Sequence, residues 1–321
     1  MSPPPELVKA DGLWFPIDGI ILRAEETIFR VPKSILGARS SVFQVMFEFP
    51  QPATGGDGEI EDETIDGIPV VRLHDSAKDV EVFLRAIFDS GYFMPPPSPV
   101  EVRDLLGILR LSHKYDVKYL FKRAIAHFET RYPLHLDKVG EVGTIRIAGN
   151  DGRVLKYRLK EIPTFHRVGA TWLLPCAYYG IGTYSVERLV EFGPTWFTLP
   201  EDMKQTCFLL PKLQTAGTAR LFDALTLLST CESPHSCNLT KFEWLKNTRP
   251  DPEDPLNQDP LFELTFNRGE LEAALCETCV IEARAHYNAA QANIWNQLPA
   301  NCGLEGWDAL LEQRRVALEL E

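Results

Sequence analysis

Apolar residues in the N-terminal part of the chain fall into short blocks bounded by turn residues. Ile20-Ile21-Leu22-Arg23 and Thr27-Ile28-Phe29-Arg30-Val31 are strand-like runs set off by Ile17-Asp18-Gly19 and Ala24-Glu25-Glu26, which predicts a short hairpin. Pro32 fits the first turn of a helix carrying Ile35 and Leu36, and Val42, Phe43, Met46 and Phe47 recur at helical spacing in a second. Pro50 to Gly67 has the Gly, Pro, Asp and Glu content of a solvated loop. Ile68 to His74 then reads as a third strand. Ser76 followed by Asp79 is a variant capping box, and Val80, Phe83, Leu84, Ile87 and Phe88 form one apolar helical stripe behind it. After the connector Pro95 to Pro99, Leu105, Ile108, Leu109 and Ser112 mark a helix up to Lys114. Phe121, Ala124, Ile125 and Phe128 mark another that ends before Pro133, the two joined at Tyr115-Asp116-Val117. Phe43, Phe47, Phe83, Leu84, Leu109 and Phe121 are the expected core.

Beyond Pro133 the pattern changes. Thr144 to Ala148 and Val154 to Leu159 flank Gly149-Asn150-Asp151-Gly152 as a β-hairpin would, with a helix as the alternative for the second arm. Ala170 to Tyr179, Leu189 to Phe192, Asp202 to Leu228 and Glu270 to Leu298 read as helices. Pro211 should break or kink the third, and Arg249 to Pro255 is a proline-rich loop. No internal repeat of solenoid or propeller period is present.

Asp18-Gly19-Ile20-Ile21-Leu22, Phe29-Arg30-Val31-Pro32-Lys33-Ser34-Ile35-Leu36, Ser40-Ser41-Val42-Phe43, Met46-Phe47, Val70-Val71-Arg72-Leu73 and Leu111-Ser112-His113-Lys114-Tyr115 occur in an order that resembles a BTB/POZ domain from about Leu13 to Tyr132. The chain is similar in particular to fungal BTB proteins with a helical C-terminal half. The resemblance implies an α+β fold, with a three-stranded sheet and helices over residues 13–132 and a mostly α-helical domain over 133–321. It also implies a non-enzymatic protein-interaction module, either an adaptor carrying a target to a cullin-based ubiquitin ligase or a scaffold in transcriptional regulation. Two positions depart from the family. Pro32 stands where His is usual, and Met1 to Gly12, with three prolines and few apolar residues, is not the amphipathic helix of long-form members. Short-form relatives without that helix act as adaptors, and homo-oligomerisation is left open.

Lys and Arg number 33 against 45 Asp and Glu, a net charge of −12. That acidity disfavours direct nucleic-acid binding, since a phosphate-tracking surface needs net positive charge. The start of the chain lacks a secretory signal, and the longest uncharged run, Val168 to Val186, is too rich in Gly, Tyr and Thr for a membrane span, so an intracellular protein with that run buried is expected.

Chemistry-bearing residues are few. His74-Asp75-Ser76 has triad residue types, but adjacent side chains cannot form triad geometry. Gly55-Gly56-Asp57-Gly58 lacks the helix and basic residue of a phosphate loop, and no catalytic residue is assigned. Cys231 and Cys237, with Cys276 and Cys279, form a C-x5-C and a C-x2-C pair among seven cysteines. Together they suit a structural zinc ion, with His235 as a substitute ligand; buried apolar thiols are the alternative. A metal-dependent enzyme using these cysteines is a second class of function, and it would need an open coordination position. No other cofactor is required. Cys176, Cys207 and Cys302 should be buried. Trp14-Phe15 and Tyr178-Tyr179 are either partner anchors or core, and the acidic run Asp57 to Asp66 either a docking segment or a solvated loop.

Overall fold

The computed structural model describes residues 7–16, 19–48, 64–139, 145–146, 151–182, 184–191, 193–226, 231, 233–248, 261 and 268–320. They divide into two compact units. The described residues of the first end at Thr130 and include Ile145 and Arg146; the second contains the rest.

The first unit is built on the expected hairpin, β2 (Gly19–Ala24) with β3 (Thr27–Pro32), preceded by β1 (Val8–Trp14). The strands close through Ala24 opposite Thr27, with Glu25 in the left-handed region at φ 50°. Two short helices follow, α1 (Lys33–Arg39) and α2 (Ser41–Glu48). The buried Ser40 hydroxyl sets their junction: it accepts the Phe43 N–H at 3.1 Å and donates to the Tyr115 carbonyl at 2.5 Å. After β4 (Thr64–Ile65), β5 (Ile68–Leu73) joins β2 in parallel. The strand order is β1-β3-β2-β5-β4, so β2 lies centrally. That position explains why Ile20, Ile21 and Leu22 are an unbroken apolar run, all of them buried.

Helices complete this unit. In α3 (Ala77–Phe88), Ser76 Oγ accepts the Asp79 N–H at 3.1 Å, satisfying an otherwise orphaned donor of the first turn. The stripe sinks Val80, Phe83 and Leu84 into the core. A two-residue strand, β6 (Val100–Glu101), leads into α4 (Val102–Lys114), and α5 (Lys118–Arg131) follows a reversal in which Asp116 takes φ 51°. Gly107 lets α3 and α4 approach closely, because a Cβ there would lie 2.9 Å from the Asp79 carboxylate and 3.1 Å from Val82. Arg110 reaches the same carboxylate at 2.7 Å.

The second unit is helical. A 3-10 turn at Leu136–Lys138 is followed by α6 (Asp151–Arg167), a 3-10 turn at Thr171–Leu173, α7 (Leu174–Ile181), α8 (Val186–Glu191) and α9 (Gly193–Phe197). Then come α10 (Glu201–Thr226), α11 (Pro234–Thr248), α12 (Arg268–Ala274), α13 (Glu277–Asn301) and α14 (Trp307–Ala317). Leu174 to Tyr179 are all buried, and α6, α10 and α13 pack against α7, so the centre of the long uncharged run is core while Gly169 and Val186 are exposed. No helix among the described residues is long and apolar enough to cross a membrane. A second core cluster joins Leu221, Phe222 and Leu225 of α10 to Trp244, Leu271, Ala283 and Tyr287.

The architecture is α+β, with several expectations corrected. The sheet has five strands instead of three, because Val8–Trp14 adds to β3 in parallel and Thr64–Ile65 folds back on β5 through Asp66 and Gly67, both at positive φ. The described residues of 144–159 do not form the expected hairpin, and the second arm takes the helical alternative. Ile145–Arg146 forms β7, which pairs in parallel with β6, while Val154 to Leu159 lie in α6, where Leu155, Leu159, Ile162 and Phe165 are buried at helical spacing. Leu275 and Cys276 divide the helix expected over 270–298. The helix α10 runs unbroken through Pro211; packing against α7, α11 and α13 offsets a proline cost of about 3 kcal/mol. Phe47 and Phe121 are only half-buried, and Leu120 fills the core in place of the latter. Gly55 to Gly58, most of the acidic run, and Arg249 to Pro255 lie outside the described residues.

Candidate functional site

Asp75 and Ser76 serve the fold. Asp75 takes the Lys114 ammonium at 2.7 Å and accepts from the Tyr115 hydroxyl at 2.5 Å, Ser76 caps α3, and His74 is exposed. Burial first, and then the Asp75 carboxylate, push the Tyr115 phenol far above its ordinary range. Of the aromatic pairs, Tyr178 and Tyr179 are core. The Tyr179 hydroxyl accepts the Leu261 N–H at 3.0 Å, and its carbonyl accepts from Gln214 at 2.7 Å. Trp14 and Phe15 are half-buried, under Lys9 and beside Phe88 respectively.

The residues that converge are cysteines. The Sγ atoms of Cys231, Cys237, Cys276 and Cys279 all lie within 4.8 Å of one another, and none is in a disulfide. Local structure explains how. Cys231 precedes α11 and Cys237 sits in its first turn, where its N–H bonds the Ser233 carbonyl at 3.1 Å. Cys276 is the N-cap of α13 with extended backbone, and Cys279 follows one turn later. The break at Leu275-Cys276 thus turns two thiols toward the start of α11.

The pocket of sulfur is half-open, Cys237 and Cys279 being buried and Cys231 and Cys276 partly exposed. The Cys276 N–H donates to Cys237 Sγ at 3.5 Å. The Cys279 N–H, foremost, holds the Cys276 thiol below its ordinary value. Cys237 also gains from its backbone donor, which lowers it, but burial and the neighbouring thiols leave it raised. Four thiolates in this arrangement can close around a tetrahedral ion, and the group has no carboxylate or imidazole member among the described residues. His235 is exposed on α11 and is not part of it. Cys176, Cys207 and Cys302 are buried elsewhere; burial pushes Cys207 up to about 12, and Cys176 Sγ donates to the Pro133 carbonyl.

One buried polar group gave no sequence signal. Glu161 is fully buried on α6, accepts from the Tyr132 hydroxyl, and lies 3.7 Å from the Arg131 guanidinium. An isolated Glu in a helical run carries no mark of such partners.

The first unit also leaves apolar side chains in solvent on consecutive helices. Ile35 on α1 is 45% exposed, and Val42 and Val45, three residues apart on one side of α2, are 36% and 51% exposed. Single exposed aliphatics are ordinary, whereas these three lie on two adjoining short helices. Comparison with family models, curated proteins and solved structures finds no match.

Proposed function

We propose that the chain is a protein-interaction module whose first unit is a BTB-type domain, and that it serves as an adaptor on a cullin-based ubiquitin ligase. The observation that carries this is the arrangement from Gly19 to Arg131. An antiparallel hairpin has its first strand paired in parallel with a later strand, two short helices lie between them, and a capped helix and a helical pair follow. This is the order of elements that the resemblance implies. The exposed valines of α2 lend a second support. Such a module acts by docking alone: a rigid α+β unit presents side chains already ordered by the fold, so little conformational entropy is lost on association.

Isothermal titration of the purified chain with the amino-terminal region of a cullin scaffold tests the adaptor role. A saturable one-to-one complex is expected. No heat and no co-elution on gel filtration would overturn it.

A further inference from the structure

We propose that Cys231, Cys237, Cys276 and Cys279 bind one zinc ion as a closed structural site that secures α11 to the junction of α12 and α13. This goes beyond the interaction role and is independent of it.

Three observations support it. Two cysteine pairs far apart in sequence are gathered so that all four sulfurs lie within 4.8 Å, whereas a disulfide would need only two. Zinc–sulfur bonds of about 2.3 Å place tetrahedral sulfurs about 3.8 Å apart, so ligation asks for an inward movement of less than about 1 Å. Secondly, backbone donors face the sulfurs. The Cys276 N–H points at Cys237 Sγ, and Cys276 and Cys279 occupy the N-terminal turn of the 25-residue helix α13, whose unsatisfied N–H groups attract negative charge.

The third observation is where α11 is anchored among its described side chains. The helix is fifteen residues long, and its described side chains buried in the core are Cys237, Lys241 and Trp244, while Leu239 and Phe242 are 50% and 64% exposed. Trp244 anchors the C-terminal half of α11 in the core beside Phe222 and Leu271, and ligand binding restricted to the folded state would add a second anchor at its start. A tetrahedral four-sulfur set selects zinc or iron among common metals. Four protein ligands leave no position for substrate, so the ion's role here is structural.

The test uses the full chain, purified reduced. About one zinc per chain is expected by elemental analysis, and replacement by cobalt should give the visible absorption of tetrahedral cobalt with thiolate-to-metal charge transfer. His235→Asn should retain the metal, and the double variant Cys276→Ser, Cys279→Ser should lose it. Chelation should accelerate amide exchange throughout α11 and leave α3 and α4 unchanged. Folded, reduced protein that holds no zinc and gives no cobalt bands would overturn the proposal. So would iron in its place, or a double variant that still carries zinc. Should that variant fail to fold, the cobalt spectrum of the unmodified chain decides alone.

Discussion

Phe83 shows how one side chain links the layers of the first unit. It is 1% exposed, and its ring lies 5.7 Å from that of Tyr115, which in turn stacks on Phe43 at 4.6 Å. Helix α3, the α4 terminus and α2 therefore meet in one aromatic group. Phe83→Ala should destabilise the chain by about 3–5 kcal/mol, the lost transfer energy plus a cavity the neighbours cannot fill; urea unfolding measures it, and an unchanged midpoint would show the register of α3 to be wrong. His127 is a second informative residue. It is fully buried, its Nε2 lies 2.8 Å from the Met94 carbonyl, and burial holds its pKa below the ordinary 6.5. The unfolded chain therefore takes up this proton first. Stability should fall as pH drops below the ordinary histidine value of about 6.5, and less steeply in His127→Gln; a profile identical in both proteins would contradict this.

Local chemistry fixed some elements firmly. Ser76 and Asp79 marked the start of α3 because an N-cap needs a short polar side chain in that place, and Ser76→Ala should cost about 1 kcal/mol in thermal or urea unfolding. The hairpin, the third strand and the helical pair ending at Arg131 were legible for a similar reason: each carries an apolar pattern bounded by turn residues. The helix α6 was legible only as the alternative to a strand. Leu155 and Leu159 satisfy a period of four, but Leu155-Lys156-Tyr157-Arg158-Leu159 also alternates as a strand would, and burial of Ile162 and Phe165 on the same face decides for the helix. β1 and β4 escaped notice because each is held mainly by the edge it joins. In the cysteine cluster the four members were legible from their pairing. The N-cap geometry of Cys276 was not, since Glu270 to Leu298 reads as one helix until Cys276 takes its extended backbone at ψ 159°.

At the scale of the molecule the chain is two units, and the short strand β7 belongs with the first although it follows the helical start of the second. Residues 1–147 produced alone should consequently melt in a single cooperative transition. A broad, non-cooperative loss of helix on heating would show that this unit needs the remainder to fold. Docking of other proteins through this unit is measured by quantitative affinity capture. The intact chain would be compared with a variant carrying Val42→Asp and Val45→Asp, whose fold circular dichroism should find unaltered because both side chains are exposed. The native chain should retain a cullin scaffold in near-stoichiometric amount and the variant should release it. Capture of the bait alone, or equal amounts of cullin from both proteins, would show that the protein does not dock a cullin through these valines.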